Sequence, residues 1–307
     1  MLDLTFLSEE QIFGDNQLDI IKKYGTKSAI TDFAILSGGF VSYATIGGKE
    51  LKNRTDWWWT RSSDGYKNTQ VVSFRDDIGS NREDVNLRCG GVRPAFPYSS
   101  IKPILSSRVR ENSGIKEVEY GEYPKWVVDN DCSILLEAVF NAGDIKTTGK
   151  KYTTDSVMSY DRETPFSPKI HTEYEYNGSK YIRFVGDTNG YEEVLSNGIK
   201  VTLDKPYWIK VEPIVWLVDE KADIALSKYI ILSGLQFKNK RDYIGDFNRT
   251  DIKQFMDRYL AKDIECLVIK DKLTESELYD FDSIFEDAIN KMNEINEVEK
   301  SKTLSLK

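Results

Sequence analysis

The order of apolar and polar positions along the chain predicts two β-rich segments followed by helices. Near the start, Ser8 with Gln11 three residues on reads as a capping box opening a short helix. Leu18, Ile21 and Tyr24 keep one face of it apolar until Gly25 stops it. Residues 31–41 are apolar and end in Gly38-Gly39, a buried strand or a short helix between which periodicity does not choose. Short strands are expected at 57–60, 69–74, 85–87 and 91–96, broken by Asp64-Gly65 and by the polar run 76–79.

Beyond residue 112 the pattern changes. A strand at 118–124 leads into 126–128, and 131–140 reads as an amphipathic helix with Leu135, Leu136, Val139 and Phe140 turned inward. Tyr174 and Tyr176 alternate with Glu173 and Glu175 before Asn177-Gly178, and an apolar run at 181–185 follows, which is a strong hairpin signal. Buried strands are expected at 207–209 and 214–218, with 225–232 closing the sheet. Ile252, Phe255, Met256, Tyr259 and Leu260 then share a helical face, capped by Thr250 or Asp251. A last helix opens with Thr274 and Glu277 as a capping box. It carries Leu278, Phe281, Phe285, Ala288, Met292 and Ile295 at spacings of three and four, a heptad stripe. Self-association through 274–295 there competes evenly with docking against the body or a partner helix.

Three adjacent tryptophans, Trp57, Trp58 and Trp59, cannot share a strand face, so Trp57 and Trp59 take one side and Trp58 the other. Together with Gly90-Gly91-Val92-Arg93-Pro94-Ala95, the run 57–63 resembles the closing half of a bacterial domain family of unknown function with a C-type-lectin-like fold. That family is distantly similar to the formylglycine-generating, sulfatase-modifying enzymes. Residues 4–39 resemble the segment before the tryptophan motif. Residues 120–124, Glu212-Pro213-Ile214-Val215-Trp216 and 225–228 resemble segments that in the family come first, so their order here is permuted, which fits either one permuted domain or the end of one copy joined to the start of another. The expected fold is therefore α+β: a lectin-like half of short twisted antiparallel strands at 1–112, a β-rich second lobe at 113–270, an amphipathic helix at 271–298 and a disordered tail at 299–307.

The chain has 307 residues, 40% hydrophobic and 12% aromatic, enough for one large core or two modest ones. It carries neither a signal-peptide pattern nor a run of the roughly 18 apolar residues a membrane span needs. A cytoplasmic protein is expected. Cys89, Cys132 and Cys266 lack paired spacing and read as reduced and structural. A net charge of −8 and a pI near 5 argue against direct nucleic-acid binding, because phosphate neutralisation needs clustered Lys and Arg. An acidic exterior suits a protein partner with a basic face.

For chemistry, the only histidine is His171, just before the predicted hairpin, so a two-histidine iron site is excluded and any histidine triad must pass through it. No glycine loop of the phosphate-binding types is present. Calcium-binding triplets of the lectin type are missing, and the cysteines lie too far apart for formylglycine chemistry. With 50 Asp and Glu residues, paired carboxylates give no specific signal. No catalytic residue, metal or cofactor is assigned.

Between 61 and 90 the composition is that of a recognition surface, and Tyr66, Asn68, Arg75, Asp77, Asn81, Arg82 and Asn86 are the expected partner-binding residues. Trp57, Trp58, Trp59, Arg61, Arg93 and Trp216 are expected to be framework, with each arginine buried against a carboxylate such as Asp32 or Asp56. The expected function is non-enzymatic recognition of another macromolecule, a protein, through the lectin-like face. The alternatives are a phage or mobile-element inhibitor that occludes a host-defence complex, and an enzyme with an unrecognised carboxylate site.

Overall fold

The computed structural model describes residues 2–41, 45–46, 49–50, 55–65, 67–73, 81–101, 109–112, 114–158, 161–239 and 245–264. The expected heptad helix at 271–298, the tail at 299–307, Cys266, Tyr66, Arg75 and Asp77 lie outside these. The fold is α+β, as the sequence predicts.

Ser8 and Gln11 do form the capping box, Ser8 N donating to Gln11 Oε1 at 2.9 Å and Gln11 N to Ser8 Oγ at 3.2 Å. The helix is split, however, into α1 (Glu9–Phe13) and α2 (Asp19–Tyr24), because the chain breaks at Gly14 and restarts after Leu18. Gly25, with φ +89°, ends α2. The apolar run 31–41 begins as a helix, α3 (Asp32–Leu36), capped by the Thr31 side chain. Asp32 is fully buried and accepts Val127 N and Ser196 N, both at 2.8 Å, which pins α3 to the strand and turn beside it.

Thr45–Ile46 (β1) and Lys49–Glu50 (β2) make a small ladder. The strands Trp58–Ser63 (β3), Asn68–Val72 (β4) and Asn81–Asp84 (β5) form a three-stranded antiparallel sheet, while the expected strand at 85–87 is a turn following β5. The remaining strands are Ala95–Pro97 (β6), Val109–Asn112 (β7), Ile115–Val127 (β8), Lys146–Asp155 (β9), Pro168–Tyr176 (β10), Ser179–Val185 (β11), Pro206–Asp219 (β12) and Ile224–Ser227 (β13). They build one eight-stranded sheet in the order β6-β13-β12-β11-β10-β9, with β8 on the other side of β12 and β7 beyond it. Asn177 and Gly178 make the two-residue turn between β10 and β11 with φ of 49° and 70°, as the Asn-Gly signal requires.

Residues 1–265 form one compact unit, so the expected boundary at 112/113 falls inside it. The physical reason is β6, which joins the main sheet by pairing with β13 and carries Phe96 onto Trp216, ring centroids 4.6 Å apart. A single apolar cluster runs from Leu2 to Ile264. Within it Tyr123 of β8 meets Tyr152 of β9 edge-to-face at 5.4 Å, so the sheet curls until its flanks approach. The C-terminal helical run fills the gap between them: α5 (Asp251–Phe255), a π-helical turn (Met256–Leu260) and α6 (Ala261–Ile264).

The helix Asn130–Ala142 (α4) packs on the outer face of the sheet through Leu136, against Tyr181 and Trp208. Leu135, expected inward, is 48% exposed, because Glu137 fixes the helix rotation by accepting from Arg183 Nη2 at 2.8 Å and Trp208 Nε1 at 3.0 Å. No helix among the described residues is long and apolar enough to cross a membrane.

Candidate functional site

The tryptophan and glycine motifs pair with each other. Trp59 N donates to Gly91 O and Gly91 N to Trp57 O, both at 3.0 Å. A Cβ at Gly90 would lie 2.3 Å from the Trp59 ring, so glycine is required there by close approach. Trp57 and Trp59 share a side, ring centroids 4.8 Å apart. Trp58, Trp59 and Trp216 are fully buried.

The two arginines depart from expectation. Arg61 is exposed on β3, where its guanidinium keeps its hydration, and it donates to Gln11 Oε1 at 3.2 Å. Arg93 is buried, and no carboxylate pairs with it among the described residues: Nε donates to Ser227 O at 2.9 Å, and the guanidinium lies 5.0 Å over the Trp58 ring. Burial pushes it down to about 10. Asp32 and Asp56 are engaged by backbone amides instead; Asp56 accepts Trp57 N at 2.7 Å and Phe40 N at 3.0 Å, and burial raises its pKa well above the ordinary range.

Of the expected partner-binding residues, Asn68 and Arg82 lie on β4 and β5, in a register where Asn68 opposes Asp84 and Gln70 opposes Arg82. Alternation puts Asn68, Asp84 and Arg82 on one face. Arg82 is exposed, whereas the Asn68 amide donates to Asp64 Oδ2 at 3.0 Å. Asn81 is described through its backbone on β5. Asn86 is a correction: it is buried, with its carbonyl oxygen taken by Gln236 Nε2 at 3.0 Å, so it belongs to a structural network and does not face a partner.

That network floors a cleft of about 220 Å³. Arg88, following the turn after β5, forms a sealed ion pair with Asp155 at the end of β9; each side chain is 1% exposed. Arg88 Nε donates to Asp161 O at 2.7 Å, and Nη2 reaches Gln236 Oε1 at 3.1 Å and the Thr164 carbonyl. The other Asp155 oxygen accepts Val157 N and Ser167 N, both at 3.0 Å. Burial raises the Asp155 pKa against the opposing effect of these partners. The loop 161–167 is held by three of these bonds, at Asp161, Thr164 and Ser167. The charges on the floor are mutually engaged.

The walls are different. Phe166 from that loop meets Phe255 at 5.1 Å and Tyr259 at 5.5 Å, and Phe255 and Tyr259 are 5.4 Å apart. The π-helical turn supplies Arg258 and Tyr259, and such turns are frequent at functional sites because the wider turn re-aims side chains. Asn239, Gln254 and Arg258 line the cleft with side chains that hydrogen bond to nothing among the described residues, apart from Arg258 lying 5.4 Å over the Tyr259 ring.

His171 does not stand before an exposed hairpin but is buried within β10, stacked 4.7 Å from Phe184, with Nε2 2.9 Å from Thr154 Oγ1. Burial drives its pKa down to about 3, so it stays neutral and engaged. Cys89 and Cys132 are unpaired, and burial pushes the Cys89 thiol up to about 11, away from reactivity. No three His, Cys, Asp or Glu side chains gather as metal ligands among the described residues.

Periodicity assigns Phe255 and Tyr259 to one core face, and both rings line the cleft, Tyr259 from within the π-turn. Nothing in the local pattern signals a π-turn. Compared with known proteins, the chain matches no family model, and neither a curated protein nor a solved structure matches it significantly.

Proposed function

We propose that the chain is a recognition protein that holds a protein partner without transforming it, and that the cleft beside residues 254–259 is its seat. The observation carrying this reading is the contrast within the cleft. Its floor consists of charges already engaged with one another, while its walls offer three aromatic rings and three polar side chains still open to a partner. A general base or nucleophile poised for turnover would need an accessible titratable group; of the two acids lining the cleft, Asp155 is sealed by Arg88 and two amides, and Asp251 accepts Asn239 N at 2.6 Å.

Kinship with the lectin-like family is part of the proposal, supported by the direct pairing of the tryptophan and glycine motifs. Action in the cytoplasm is proposed as well, in keeping with Cys89 and Cys132 standing unpaired. A second reading places the partner on the face of β4 and β5, and the exposure of Arg82 beside Asn68 favours it.

Affinity capture with the wild-type chain, a Gln254→Ala/Arg258→Ala variant and an Arg82→Ala variant separates the two. A stoichiometric protein retained by wild type and by Arg82→Ala but lost from the double variant supports the cleft. Loss from Arg82→Ala alone moves the site to the β4–β5 face.

A further inference from the structure

We infer that the ligand taken by the cleft is an aromatic ring carrying a nearby carboxylate, the chemistry of a peptide whose last residue is Phe, Tyr or Trp. This rests on the reading that the cleft is the binding seat, and it names what enters.

Size comes first. At about 220 Å³ the cleft is smaller than the roughly 300–1,000 Å³ of pockets for drug-sized ligands, so it holds a single residue and not an extended segment. Its apolar wall selects the kind of residue. Phe166, Phe255 and Tyr259 already contact one another at 5.1–5.5 Å in tilted and edge-to-face arrangements, and a fourth ring extends such a cluster favourably.

The charge of the ligand follows from Arg258. It is exposed, and no carboxylate pairs with it among the described residues. The neighbouring acid, Asp257, is held by Lys253 Nζ at 2.5 Å, and Lys253 in turn reaches Asp3 at 3.2 Å. Asp251, the other acid at the rim, has one oxygen occupied by Asn239 N at 2.6 Å and lies seven residues, about two helical turns, before Arg258. Asp155 is neutralised by Arg88 beneath the floor. Among the described residues the exposed cation on the cleft wall is therefore the Arg258 guanidinium, stacked on a ring. Its planar fork matches a carboxylate in two places at once. The side-chain amides of Gln254 and Asn239 are left to hydrogen bond the last peptide group of the ligand.

Calorimetric titration of the full chain with N-acetyl-L-phenylalanine, N-acetyl-L-phenylalanine amide and N-acetyl-L-leucine tests this. The acid is expected to bind about tenfold more tightly than its amide, as one charge-assisted contact implies, and leucine more weakly than phenylalanine. Arg258→Ala, an exposed substitution whose folding circular dichroism checks, is expected to abolish the preference of acid over amide. Equal affinity for acid and amide, a preference unchanged in Arg258→Ala, or no binding of the acid overturns the inference. The cleft reading itself fails separately, if a captured partner is retained by the Gln254→Ala/Arg258→Ala variant.

Discussion

The Asp263 carboxylate accepts the backbone N–H of Thr153 at 2.8 Å, closing the outer edge of β9 with the last turn of the helical run that walls the cleft. An open strand edge is a template for unwanted pairing, and a helix laid along it removes that liability. The cost is a buried acid: desolvation pushes Asp263 up to about 7 against the opposing effects of Thr153, Lys150 and Lys262.

That shift gives a pH dependence of definite sign. Between about 4 and 7 the folded chain keeps the Asp263 proton while the unfolded chain releases it, so this group's contribution to stability is full below about 4 and is lost as pH rises to about 7. Asp263→Asn keeps an acceptor for Thr153 and cannot ionise. Chemical denaturation is expected to show the variant gaining on wild type from pH 4 to pH 8, and a constant difference across that range contradicts it.

His171 shifts in the opposite direction. The unfolded chain binds a proton below about 6.5 while the folded chain resists until about 3, so acidification through that window removes stability. Because this is the only histidine, its imidazole resonance is assignable without ambiguity. Proton NMR should show no titration from pH 8 down to pH 4 in the folded state. A midpoint near 6.5 would mean the ring is accessible.

The sealed pair under the cleft is expected to be costly to break. Asp155→Ala leaves the Arg88 guanidinium buried and frees the amides of Val157 and Ser167, which should destabilise the chain by about 3–5 kcal/mol in urea unfolding. A loss under about 1 kcal/mol would show that the pair is hydrated and that the floor is not rigid.

Gly121 interrupts β8 with φ +68°, and a Cβ there would lie 2.7 Å from the Ile264 carbonyl oxygen. Both the left-handed backbone and the close approach exclude a side chain. Gly121→Ala should lower the melting temperature through a cost of at least about 1 kcal/mol, and an unchanged melting temperature would refute the packing of α6 on β8.

Where one short pattern decides the outcome, the local sequence and the structure agree. The Ser8/Gln11 box, the Asn177-Gly178 turn, the alternation of Trp57, Trp58 and Trp59, and the Thr250 cap are all present, because each depends on residues within a few positions. Where the two differ, a long-range partner decides. Nothing near Arg93 indicates that the carbonyl of Ser227, 134 residues away, replaces a carboxylate. Leu135 is exposed because Glu137 reaches Arg183 and Trp208 on other strands. The cleft was hidden for the same reason: Arg88, Phe166, Gln236 and Arg258 come from four separated segments, and the π-turn shifts Arg258 and Tyr259 relative to an ordinary helix. Asn86, a surface residue by composition, is drawn inward by Gln236, 150 positions later.

Hydrogen–deuterium exchange on the complex with a captured partner tests the central claim most directly. New protection over 161–167 and 251–260, beyond that of the free chain, is the result the account predicts. Protection confined to 67–72 and 81–84, with the cleft walls unchanged, would contradict it and place recognition on the β4–β5 face.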